Sequence, residues 1–108
     1  MIKIRYDAES VEDFIRFRIY ISGRSGPQDA KVSAVLNLRS GKEYVFMPDV
    51  TYPDINTAYP EKSINYLTHI GKGEYQFFFC PGDERPVKLR VLASVDDVVT
   101  DISFRLNQ

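Results

Sequence analysis

The chain has one histidine, His69, and one cysteine, Cys80. A lone imidazole cannot build a histidine metal cluster, and a lone thiol excludes both an intrachain disulfide and a cysteine-rich zinc site. His69 falls in an extended run just before a turn, where a structural or exposed role is expected. Cys80 lies between Phe79 and Pro81, as a small buried hydrophobe would. Side-chain oxygens of the kind that ligate hard cations are more plentiful. Asp96, Asp97 and Asp101 form one group, Asp83 and Glu84 another, and Asp49, Asp54, Asn56 and Glu61 a third. Hard cations want several oxygens, but none of these spacings is that of an EF-hand loop. They read as solvated turns, so no metal and no cofactor is expected. A pair of carboxylates could in principle hydrolyse a glycoside, but 108 residues leave little room for a deep cleft, and the chain is expected not to be an enzyme. Gly23-x-x-Gly26 and Gly71-x-Gly73 open no helix, which a phosphate-binding loop requires.

Tyrosine offers recognition rather than reaction, being large, rigid and able to hydrogen-bond. Tyr52 and Tyr59 fall in the irregular stretch 48–62, together with Asp54 and Asn56. Prolines at 48, 53 and 60 bar a central strand there, and a connection this long is often functional. Tyr52, Asp54, Asn56 and Tyr59 are therefore the candidate binding residues.

The rest of the chain has to hold such a loop. Its length suits one domain, residues 1–108. Hydrophobic residues make up 44% and charged residues 27%, values of an ordinary globular protein. Seven Tyr and seven Phe favour strands. The net charge of −1 and the scattered basic residues argue against nucleic acid as a partner. No run is long enough for a membrane span, and the N-terminus lacks an apolar signal core. A cytoplasmic location is expected if Met1 is the natural start, and a surface or secreted one if the chain is cut from a longer protein.

Period-two alternation predicts about eight strands. The first carries Ile2, Ile4 and Tyr6. The polar stretch after it, with Ser10 and Asp13, is expected to cap a helical turn. Strands follow at 15–22, 31–38 and 43–47, the last two joined as a hairpin by Arg39-Ser40-Gly41-Lys42. Another extended run spans 63–70. Three more follow from Gly73: Tyr75, Phe77 and Phe79; then Val87, Leu89, Val91 and Ala93; then Val98, Thr100, Ile102, Phe104 and Leu106. Pro81-Gly82-Asp83 and Val95-Asp96-Asp97 turn the chain between them. Tyr75, Phe77, Phe79, Leu89, Val91, Ile102 and Phe104 are the expected core of this last third.

That last third resembles immunoglobulin-like domains of the filamin, early-set type. Gly73 and Tyr75 match their Gly-x-Tyr, Pro81 ends the strand as theirs does, Leu89 and Val91 match the following strand, and Ile102 with Phe104 the closing one. Where those repeats carry a Ser-Pro-Phe-like element, this chain has Ile102-Ser103-Phe104. The resemblance implies an all-β, immunoglobulin-like antiparallel β-sandwich of about seven to eight strands. It also implies a non-enzymatic interaction or structural module, binding a protein partner through loop residues or an edge strand; a homo-oligomer through an edge strand is the other partner expected, since only Lys3, Arg5 and Arg105 guard the first and last strands. The same stretch is similar to carbohydrate-binding modules of starch- and glycogen-active enzymes through Tyr75, Pro81-Gly82 and Asp96-Asp97. Those modules stack sugars on tryptophan, which this chain lacks; carbohydrate binding is the alternative.

Overall fold

The computed structural model describes residues 2–48, 66–82 and 84–106. Every regular element among them is a strand: β1 (Lys3–Val11), β2 (Phe14–Gly23), β3 (Gly26–Pro27), β4 (Lys31–Leu38), β5 (Glu43–Pro48), β6 (Tyr66–Gly71), β7 (Glu74–Phe79), β8 (Pro86–Val95) and β9 (Val98–Arg105). They form one sheet in the order β1-β2-β7-β6-β5-β4-β8-β9, with the two-residue β3 paired to the end of β2. The all-β expectation holds.

Neighbouring strands are antiparallel except β5 and β6, which pair in parallel through Met47↔Tyr66 and Pro48↔Leu67. Two antiparallel halves, β1-β2-β7-β6 and β5-β4-β8-β9, thus meet at one parallel junction. The sheet curls until its ends approach and the shape is nearly that of a barrel. Tyr6 of β1 and Phe104 of β9 lie with ring centroids 4.7 Å apart, yet no ladder joins the two strands.

The interior follows from the alternation. In β2 the odd positions Ile15, Phe17, Ile19 and Ile21 are buried, and in β4 the even positions Val32, Ala34, Leu36 and Leu38. Phe77 stacks on Phe17 at 5.0 Å and on Phe46 at 4.2 Å. Phe46 belongs to β5 and Phe17 to β2, so this one ring joins the two halves. Among the described residues no polar or charged side chain is buried, as an apolar interior without partners for charge demands.

Three expectations need correction. The segment Asp7–Asp13 forms no helical turn: β1 continues to Val11 and a two-residue turn, Glu12-Asp13, leads into β2 through the pair Val11↔Phe14. Glu12 takes a left-handed φ of 57°. The reason is cross-strand charge. Asp7 faces Arg18 and Glu9 faces Arg16, and Arg16 Nη2 donates to Glu9 Oε1 at 2.7 Å, so the acidic run is the partner strand of an arginine-bearing one. Second, Val87 is not the inward residue opening β8. The register shifts between Asn37 and Leu38, and Pro86 is buried instead. Third, Ile102 is 37% exposed and Phe104 only partly buried, because β9 ends the sheet and, among the described residues, no strand is laddered to its outer edge.

Candidate functional site

The predicted binding residues Tyr52, Asp54, Asn56 and Tyr59 lie outside the described residues, as do Asp49 and Glu61. What the structure does place are three features on the scaffold.

The first is a polar knot. The Lys72-Gly73 turn between β6 and β7 docks on β2, where Ile21 N–H donates to Gly73 O at 2.7 Å. Asp29 Oδ1 accepts the Gly73 N–H at 2.7 Å and lies 3.0 Å from His69 Nε2. The His69 ring stacks on Tyr75 with centroids 4.9 Å apart. The Tyr75 hydroxyl donates to Ala30 O and accepts from Ala30 N–H, both at 2.9 Å. The Gly73 N–H, more than His69, holds the Asp29 carboxyl below its ordinary 3.8; burial pushes the Tyr75 hydroxyl above its ordinary 10.0. These bonds join the β3–β4 connection to the β6–β7 turn. His69 lies at the exposed side of this knot, in contact with Asp29 and Tyr75.

The second is a polar hollow of about 490 Å³ at the β1–β2 turn, lined by Ser10, Glu12, Asp13, Cys80 and Arg85 among others. Cys80 is half-buried rather than enclosed. Among the described residues no three His, Cys, Asp or Glu side chains gather as a metal site would need, and Asp101 is already held by Arg90, at 2.9 Å from Nε and 2.5 Å from Nη2.

The third is the free edge of β9. Seven neighbour relations run along the sheet, and only the β5–β6 one is parallel. It follows that β1 and β9 run in the same direction. Their contact, Tyr6 with Phe104, comes three residues into β1 but six residues into β9. The first half of β9 therefore extends past the start of β1. There Val98 is 67% exposed and Val99 60%; Ile102, two residues before Phe104 and so level with Ile4 of β1, is 37% exposed. Among the described residues β9 is laddered to β8 alone, on one side of the strand. Unpaired N–H and C=O groups along an apolar edge are a template for another strand. Between Asp97 and Arg105 the only charged residue on β9 is Asp101, and Arg90 neutralises it, so little repels an incoming chain. The sequence placed Ile102 in the core by parity; that β9 was terminal to the sheet could not be seen from parity.

Aromatic faces are otherwise engaged. Phe14 meets Phe78 edge-on at 6.5 Å and Arg5 covers Tyr20 at 5.2 Å. No aromatic side chain whose burial is described is exposed, and none forms a platform for stacking a sugar.

No family model matches the chain, and no curated protein or solved structure is found to match it.

Proposed function

We propose that this protein is a non-enzymatic interaction module that takes an extended segment of a partner protein, or of a second copy, onto the edge of β9. The observation that supports this reading is the start of β9, where Val98 and Val99 are exposed and, among the described residues, the strand is laddered on one side only. Main-chain bonds would supply the affinity and the alternate side chains the selectivity. The finer fold reading, an immunoglobulin-like sandwich, goes with it; the two antiparallel halves around one aromatic core are what support it. Loop residues Tyr52, Asp54, Asn56 and Tyr59 are the second route of contact in the same proposal.

The test is selection of a displayed random-peptide library on the wild-type protein. Enriched peptides are then measured against Val98→Lys/Ile102→Lys and against Tyr52→Ala/Tyr59→Ala, each checked for an unchanged thermal midpoint. The edge reading expects the lysine variant to lose at least tenfold in affinity. Equal binding to wild type and the lysine variant, with loss in the tyrosine variant, would move the site to the loop. Failure to enrich any peptide, with a monomer at every concentration in light scattering, would overturn the proposal.

A further inference from the structure

On the outward face of the β5-β4-β8-β9 half lies an open trough of about 370 Å³. Its lining includes Met47 and Pro48 of β5, Lys31 and Ser33 of β4, Leu92 and Ser94 of β8, and Val99 of β9. The register explains how they meet. Lys31 faces Ser94, which faces Val99; one step along, Ser33 faces Leu92. These are the outward positions of a sheet whose inward positions, Val32 and Ala93, are buried. An outward face of this kind ordinarily carries charge or hydroxyls throughout. Here Met47, Leu92 and Val99 add apolar side chains to the face, with Ser33 and Ser94 interleaved among them.

Three features give the trough the character of a ligand site. Its volume falls within the range of about 300–1,000 Å³ common to small-molecule sites, and it pairs apolar walls with a few polar groups, as such sites do. Its single ionisable lining residue is the cation Lys31, and among the described residues no carboxylate pairs with it. Neither Ser33 nor Ser94 has a side-chain hydrogen bond among the described residues. A largely apolar channel with one unanswered cation and two unused hydroxyls in its lining complements a single hydrocarbon chain ending in an anion.

We infer that this trough binds a soluble single-chain carboxylate amphiphile, its hydrocarbon along Met47, Leu92 and Val99 and its carboxylate at Lys31. The Lys31 ammonium and the Ser94 hydroxyl donate to the carboxylate; the chain removes the outward apolar surface from water. This site does not depend on the β9-edge reading. Val98 and Ile102, which carry that reading, line no part of the trough, and Val99 is the only residue the two surfaces share.

The experiment is a methyl-resolved NMR titration with octanoate and decanoate below their micelle concentrations, with decanol as the uncharged control. Decanoate is expected to shift the methyl signals of Met47, Leu92 and Val99 and to bind roughly tenfold tighter than octanoate, from two more buried methylenes. Lys31→Gln is expected to weaken decanoate about two- to fivefold and leave decanol unchanged. Leu92→Asp is expected to abolish both; should that variant unfold, Val99→Ser replaces it and weakens both. The inference is overturned if decanoate leaves these methyls unshifted, if chain length makes no difference, or if Lys31→Gln weakens decanol as much as decanoate. In the Val98→Lys/Ile102→Lys variant decanoate binding is expected to persist, which separates failure of this site from failure of the edge.

Discussion

At the scale of the residue, Gly73 shows most plainly how one position is dictated. It is buried, with φ +69°, and a Cβ there would lie 2.4 Å from Ile21 O and 2.8 Å from Gln28 N. Both obstacles are backbone, which cannot swing aside, and the left-handed φ adds its own cost. Gly73→Ala is expected to destabilise by roughly 2 kcal/mol or more, read from urea unfolding at equal slope. Its neighbour Asp29 sets an acid dependence. The Gly73 N–H first, and His69 next, hold the Asp29 carboxyl below its ordinary 3.8, and the Arg90 hydrogen bonds do the same to Asp101. A lowered folded-state value means the unfolded chain takes up the proton first. The stability these carboxylates supply is therefore present above pH 3.8 and is lost as pH falls through the depressed values. Unfolding followed from pH 6 down to pH 2 should show that decline, and Asp29→Asn should flatten part of it. An unchanged profile would mean the knot contributes nothing to stability.

At the scale of the element, β9 and β2 carry similar alternation and meet different fates. β2 lies between β1 and β7, and its inward residues are all buried. β9 lies at the end of the sheet, and its inward Val98 and Ile102 face water. Val98→Lys/Ile102→Lys is accordingly expected to lower the thermal midpoint by no more than a few degrees: Val98 is 67% exposed and contributes little, and the covered part of Ile102, itself 37% exposed, supplies the loss. The same pair of changes at Ile19 and Ile21 would bury two charges and unfold the protein. A large drop for the β9 variant would show that its edge is covered in solution, which light scattering would then attribute to a second copy. The Asp96-Asp97 turn leading into β9 was legible beforehand: aspartate tolerates the left-handed region, and both residues occupy it, with φ 49° and 67°.

At the scale of the whole molecule, the halves are held together through Phe77. Its ring lies between Phe17 of β2 and Phe46 of β5, and Tyr44 with Phe79 repeats the contact one step along. Phe77→Ala is expected to cost about 3–5 kcal/mol, measured by denaturant unfolding. The cost should exceed that of Phe104→Ala at the seam, where the ring is only partly buried. Comparable losses at the two positions would mean that the seam bears as much load as the centre.

The strands themselves, most turns and the larger part of the core could be read from residue order, because side-chain alternation and turn chemistry are local properties of the chain. Ile15 to Ile21, Val32 to Leu38 and Tyr75 to Phe79 reveal their buried side by period alone. Pairing is not local. Nothing in residues 43–48 and 66–71 announces that these strands run side by side in the same direction, and nothing in 98–105 marks that strand as the sheet's end. Asp7 and Glu9 looked like the approach to a helix until Arg16 and Arg18 lay opposite them. The trough at Lys31, Met47, Leu92 and Val99 draws on four strands spread over most of the chain, so its residues become neighbours only when the sheet is assembled. Local chemistry chose what each segment became. Which edge stayed open, and which outward face stayed apolar, followed from the order in which the strands came to lie.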